Sequence, residues 1–143
     1  METMLQVAAT LARRATCRKL AVGCVLTDRW GRILATGYNG VPRGMVHCTD
    51  FACPGACAPK GSDLCEAVHA EQNALLQCQE PDKIEVCYVT HFPCMRCIKT
   101  LLNTGCQRIV VPHSGEVQNP LLEVEPAAYD LWVGKAKRKV DVV

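Results

Sequence analysis

No apolar run in this 143-residue chain approaches the roughly 20 residues that a membrane-spanning helix needs, so no membrane partner is expected. The opening Met1-Glu2-Thr3-Met4 lacks the basic region of a secretion signal, and the expected location is cytoplasmic. Neither sign of charge dominates: the formal net charge is +2, and the positive residues are dispersed apart from Lys135 to Lys139. A nucleic-acid groove would be more basic, so nucleic acid is not an expected partner, and the small cluster reads as a solvated face. Internal repeats and low-complexity segments are also missing. Cysteine, by contrast, is abundant. The count is 11, an odd number, so the cysteines cannot all pair as disulfides. In a reducing compartment such a set points to metal binding. Cys24, Cys78, Cys87 and Cys106 sit among apolar neighbours and are expected simply to pack in the core.

With 49% hydrophobic and 21% charged residues, the composition is that of a soluble globular protein, and the length predicts one domain over residues 1–143. Apolar residues at helical spacing predict a helix over Thr3 to Thr16, with Thr3 as its cap. Val22 to Thr27 and Arg32 to Gly37 read as a hairpin around Asp28-Arg29-Trp30-Gly31. Asn39 to Asp63 is loop-like and rich in Gly and Pro. A structureless loop of that length needs something to tie it down, and metal coordination is the obvious candidate. A second helix is expected over Cys65 to Cys78, capped by Ser62 or Asp63. A strand over Ile84 to Thr90 follows. Pro93 suits the first position of a third helix, Cys94 to Thr104, and Gly105 suits its C-terminal αL position. Arg108 to Pro112 reads as a buried strand, Pro126 to Val133 as a short helix, and Lys139 to Val143 as a last strand. The order α-β-β-α-β-α-β-α-β predicts an α/β fold. Its five-stranded mixed sheet would be parallel in its second half and flanked by helices on both faces.

The strongest chemical signal is His69-Ala70-Glu71 read with Pro93-Cys94-Met95-Arg96-Cys97. A catalytic zinc site keeps three protein ligands and one open position, whereas a structural site takes four. His69, Cys94 and Cys97 supply three ligands, and Glu71 is left over to move protons. The spacing places His69 and Glu71 in the first turn of one helix and Cys94 and Cys97 in the first turn of the next. Helix N-termini favour thiolates. Hydrolytic deamination fits this set, with Glu71 as the base toward an attacking water and then as the acid toward the leaving amine. The competing reading is a structural zinc knot with an incidental glutamate.

From Thr16 to Val111 the chain resembles the deoxycytidylate (dCMP) deaminases of the cytidine deaminase-like superfamily, close to competence-associated and phage forms. The resemblance rests on Thr16-Cys17 with Val22-Gly23, on Gly37-Tyr38-Asn39-Gly40-Val41-Pro42-Arg43-Gly44, on His69 to Ala74, and on Tyr88-Val89-Thr90 with Pro93 to Cys97. The H-A-E and P-C-x-x-C pair is shared with cytosine, guanine and tRNA adenosine deaminases; the Gly37 to Gly44 segment points toward deoxycytidylate. The resemblance implies a three-layer α/β/α fold, catalytic Zn²⁺ on His69, Cys94 and Cys97, and Glu71 as the catalytic residue. It also implies dCMP as substrate, with Asn39 at the deoxyribose and the surrounding glycine turn near the nucleotide. Arg43 adds positive charge to that turn, and Ala70 and His91 are further candidate contacts, His91 standing where some relatives carry other residues. A plain turn over Gly37 to Gly44, and a His91 that only packs, remain the alternatives. A second, structural zinc is implied on Cys17, Cys48, Cys53 and Cys65, with Cys57 able to replace Cys53. The family's dCTP and dTTP effectors and its homo-oligomeric assembly, from dimer to hexamer, carry over as expectations. Competing functions are deamination of dCTP, cytidine, guanine or a tRNA adenosine, and a non-catalytic zinc module in DNA uptake.

Overall fold

A computed structural model describes residues 2–17, 20–57, 64–112, 135 and 139–142. Its elements are α1 (Glu2–Ala12), β1 (Gly23–Thr27), β2 (Ile33–Tyr38), α2 (Ala70–Gln77), β3 (Val86–Val89), α3 (Met95–Leu102), β4 (Arg108–Val111) and β5 (Lys139–Val142), with 3₁₀ turns at Pro54–Cys57 and Pro81–Lys83. The strands form one sheet in the order β2-β1-β3-β4-β5. β1 runs antiparallel to both β2 and β3, whereas β3–β4 and β4–β5 are parallel. The expected mixed sheet, parallel in its second half, is therefore present.

The central strands are buried on both faces, and their side chains divide the core in two. Cys24, Leu26, Cys87, Val89, Ile109 and Val111 pack with Ala70 and Ala74 of α2 and with Ile98 and Leu101 of α3. Val25, Tyr88 and Val110 point the other way, against Ala8 of α1. The result is helix, sheet and helices in three layers. Cys24, Cys78, Cys87 and Cys106 are all buried, as expected for packing residues, and the Cys24 and Cys87 sulfurs lie 3.6 Å apart.

Gly37 lets α2 come close to the sheet. A Cβ there would run into the Ala70 carbonyl and come within 2.5 Å of the Ala74 nitrogen. Deleting that side chain brings the helix bearing Glu71 down onto β2.

Several boundaries differ from expectation. α1 already includes Glu2, so Thr3 lies inside the helix and is not its cap. α2 starts at Ala70, not Cys65. Val68 exchanges two backbone hydrogen bonds with Gly40, at 2.8 and 3.1 Å, which commits it to extended backbone and delays the helix. Ser62 and Asp63, the expected caps, lie outside the described residues, as does the expected helix Pro126 to Val133. Pro93 falls before the N-cap of α3, not inside its first turn, and α3 ends at Leu102 with Asn103 as its C-cap. Gly105 does not adopt the expected αL conformation; a side chain there would instead meet the backbone of Asp82 and Ile84. The long loop is interrupted by the 3₁₀ turn and by the Gly40–Val68 bridge. Among the described residues, no helix is long and apolar enough to cross a membrane.

Candidate metal centre and active site

Two helices start at the same sheet edge, and the residue just ahead of each is a metal donor. His69 is the N-cap of α2 (φ −69°, ψ 154°) and Cys94 is the N-cap of α3 (φ −69°, ψ 164°). Both were expected one step later, inside the first turn. The first helical hydrogen bonds, Asn73 N–H to the His69 carbonyl at 2.9 Å and Ile98 N–H to the Cys94 carbonyl at 3.0 Å, show where each helix begins. The His69 amide also donates to Gln72 Oε1 at 2.9 Å. This is half of a capping box, and it fixes the backbone of the ligand residue.

His69 Nδ1 lies 3.3 Å from Cys97 Sγ and 3.5 Å from Cys94 Sγ. At zinc bond lengths and tetrahedral angles, an imidazole nitrogen and a thiolate stand about 3.5 Å apart. The three donor atoms all lie within 4.8 Å of one another, and among the described residues no fourth donor joins them. The set therefore fits zinc and leaves one coordination position free of protein. His69 is exposed, Cys94 half-buried and Cys97 buried, so the centre has an open side and a closed one.

The electrostatics suit anionic sulfur. Hydrogen bonds from Cys97 and then His69 hold the Cys94 thiol down to about 4. The same contact with Cys94, followed by burial, pushes Cys97 up, so the two thiols share one proton between them. The Cys94 sulfur in turn raises the His69 imidazole. Glu71 is 4% exposed and touches Cys97. Burial pushes its carboxyl above the usual range.

The other expected site residues divide into two groups. Asn39, Ala70 and His91 lie on the segments that border this edge. Ala70 is buried at the start of α2. The Asn39 side chain is buried and partly committed: Oδ1 accepts from the Val22 amide at 2.8 Å, and Nδ2 donates to the Leu20 carbonyl at 2.7 Å. Half of its hydrogen-bonding capacity is left. Arg43 is exposed on the following turn, where Gly44 adopts φ 85°.

The cysteines of the second group are not gathered in the same way: among the described residues Cys17, Cys48, Cys53 and Cys65 form no cluster of three or more donors, and the thiol contact seen is that of Cys48 with Cys53. Cys48 and Cys53 are buried, and their thiols hydrogen-bond each other. The Glu66 amide donates to Cys53 and lowers its pKa. Gly55 packs directly on the backbone of Cys65. The Thr49 amide, next to Cys48, donates to the carbonyl of Thr16, next to Cys17, at 3.2 Å. The Cys57 side chain lies outside the described residues.

Three positioning residues were not foreseen. Gln72 was hidden because its capping partner is a histidine and not Ser, Thr or Asp. Asn73 donates to the Tyr38 carbonyl at 2.8 Å and fastens α2 to β2. Thr90 accepts from the Gly23 amide at 3.1 Å and lies 3.0 Å from His91 Nδ1. Neither Asn73 nor Thr90 leaves a sequence signal, because each acts on a backbone group far away in the chain.

Residues 1–113 match the model of the cytidine and deoxycytidylate deaminase zinc-binding region. The deoxycytidylate deaminase of Mycobacterium phage D29 is 39% identical over 120 residues, covering 78% of this chain and 92% of the relative. The deoxycytidylate deaminase of Schizosaccharomyces pombe is 36% identical over 112 residues; the match covers 74% of this chain and only 34% of the yeast protein, so the chain spans about a third of that relative. Among solved structures, dCMP deaminase from cyanophage S-TIM5, in complex with dCMP and dUMP, superposes with a TM-score of 0.72 at 24% identity, covering 99% of this chain and 95% of that one. That likeness bears on the fold. With a zinc-type donor set, a buried carboxyl beside it and a matching family model over most of its length, the chain belongs to the cytidine and deoxycytidylate deaminase family.

Proposed function

We propose that this chain is a single deaminase domain that hydrolyses dCMP to dUMP and ammonia. The observation that carries the reading is a buried glutamate set against three metal donors that leave a fourth position unclaimed. A zinc held there supplies a Lewis acid that brings the pKa of water down to about 7. The protein's own contribution is proton handling and positioning. Glu71 takes a proton from the water that attacks C4 of the cytosine ring and delivers it to N3. It then passes the second proton of that water to the departing amine, so the C4–N bond is exchanged for a C4 carbonyl. Its raised pKa suits a group that must both accept and return protons near neutral pH.

Substrate choice is supported by the relatives that bear the name deoxycytidylate deaminase. Asn39 would meet the deoxyribose through the half of its amide that is not holding Val22 and Leu20. Ala70 and His91 border the same edge. Among the described residues, Arg43, and Arg14 at 6.0 Å from the Tyr38 ring centroid, are cations on the neighbouring segments that could meet a phosphate. The partner is thus a small nucleotide. dCTP and dTTP as effectors, and a homo-oligomer from dimer to hexamer, belong to the same reading. So does a cytoplasmic location, where free thiols persist.

The second cysteine set would hold a structural zinc through Cys17, Cys48, Cys53 and Cys65, with Cys57 in reserve. It would pin the long loop to the end of α1 and to the segment leading into His69. Metal analysis of the purified chain would then give close to two zinc per chain; one per chain would remove the second site.

A substrate panel tests the activity. The chain, loaded with zinc, is given dCMP, dCTP, deoxycytidine, cytidine and guanine, and ammonia release is followed. Release from dCMP well above the others is the expected result. Preference for another of the five would reassign the substrate, and release from none would sink the proposal.

A further inference from the structure

Thr16 lies shortly past the end of α1, against the turn that leaves β2. Three hydrogen bonds from or to main-chain groups meet on it. Its amide donates to the Asn39 carbonyl at 3.2 Å, its hydroxyl oxygen accepts from the Val41 amide at 3.3 Å, and its carbonyl accepts from the Thr49 amide at 3.2 Å. Every donor here is a main-chain N–H, so the direction of each bond is fixed. The fit is close: a Cβ on Gly40 would come within 2.5 Å of the Thr16 hydroxyl oxygen.

The same turn is held from its other side. Gly40 exchanges two hydrogen bonds with Val68, the residue before His69, and the Asn39 amide donates to the Val22 carbonyl at 3.2 Å. Asn39, Gly40 and Val41 are therefore suspended between Thr16 and the segment that leads into the metal centre. The bridge to Val68 is main chain to main chain, and no side-chain substitution deletes it. The bond to Val41 depends on one hydroxyl.

We propose that Thr16 is a positioning residue for nucleotide binding: by holding the Val41 amide, its hydroxyl sets where Asn39 stands relative to the metal centre. This rests on the reading of Asn39 as the sugar contact. The effect falls on binding and not on the chemical step, because the Val68 bridge keeps the segment leading to His69 and Glu71 in place.

Thr16→Val keeps the shape of the side chain and deletes the acceptor. Hydrogen exchange read by NMR on the zinc-loaded full chain should show the Val41 amide protected in wild type and exchanging roughly tenfold faster in the variant, with the Gly40 amide protected in both. KM for dCMP should rise roughly three- to tenfold at nearly constant kcat and equal zinc content. Thr16→Ser should restore both the protection and KM. Gly40→Ala, whose new methyl group drives the hydroxyl off Val41, should reproduce the rise in KM. A Val41 amide that exchanges freely in wild type overturns the proposal. So does an unchanged KM once its protection is lost, and so does a Thr16→Val that loses zinc and kcat together, the mark of a merely structural residue. Should Thr16→Val fail to fold, the wild-type exchange and the KM of Gly40→Ala decide. Turnover of dCMP by the wild-type chain is measured separately; its absence would sink the assigned reaction, while the exchange data, which need no substrate, still decide whether Thr16 holds the turn.

Discussion

The Asn73 side-chain amide donates to the Tyr38 carbonyl at 2.8 Å, joining the helix that carries Glu71 to the last residue of β2. Tyr38 is followed directly by Asn39, so one hydrogen bond sets the spacing between the proton carrier and the expected sugar contact. Asn73→Ala should leave that carbonyl poorly satisfied and cost about 1–3 kcal/mol in urea unfolding. It should also impair both kcat and KM for dCMP. A variant with wild-type stability and kinetics would show that the contact does not set the spacing.

Gly37→Ala should be worse, although it adds only a methyl group. The new Cβ would meet backbone atoms of Ala70 and Ala74, and backbone cannot rotate aside as a side chain can. The helix must lift, at a cost on the order of 3 kcal/mol. Zinc affinity should fall with it, because His69 and Glu71 move together. Thermal melting and zinc titration check the two effects separately.

Gln72→Ala should remove the acceptor of the His69 amide. The expected loss is about 1 kcal/mol of stability, as for other helix caps, with weaker zinc binding. Gln72→Glu keeps an acceptor at the same place and should behave nearly as wild type in competition with a chelator.

Glu71 gives a pH signature. Burial raises its folded pKa above the ordinary 4.5, so the folded chain binds more protons than the unfolded one in the window from that value upward through the folded pKa. Stability from this group is fully present below the unfolded pKa and is lost as pH rises. Glu71→Gln does not titrate and escapes the loss. In chelator-treated protein the variant should therefore melt higher than wild type at pH 7, and the difference should vanish as the pH falls below the carboxyl range. A pH-independent difference would contradict the raised pKa.

The element order and the sheet were legible because hydrophobic period and turn residues are local signals. Asp28 to Gly31 and the Ile109-Val110-Val111 run each announce their element without help from elsewhere. The donor residues were legible for a different reason: few chemistries need His, Glu and two Cys at those spacings. What stayed hidden was tertiary. The pattern around Val68 reads as helix, yet a bridge to Gly40, 28 residues upstream in sequence, turns it into extended chain and makes His69 a cap. Asn39 reads as a ligand contact, yet half of its amide is spent holding the entry to β1. Asn73 and Thr90 act through backbone partners that sequence spacing cannot name, and Gln72 caps a histidine where the pattern expects Ser, Thr or Asp.

The central claim is that Glu71 moves protons at a centre it does not help to bind. Wild type and Glu71→Gln, loaded side by side, are compared for zinc content and for dUMP formed from dCMP. The account predicts equal zinc in the two and a loss of turnover of about 10²- to 10⁴-fold in the variant. Turnover retained in Glu71→Gln, or zinc lost from it, would contradict the account.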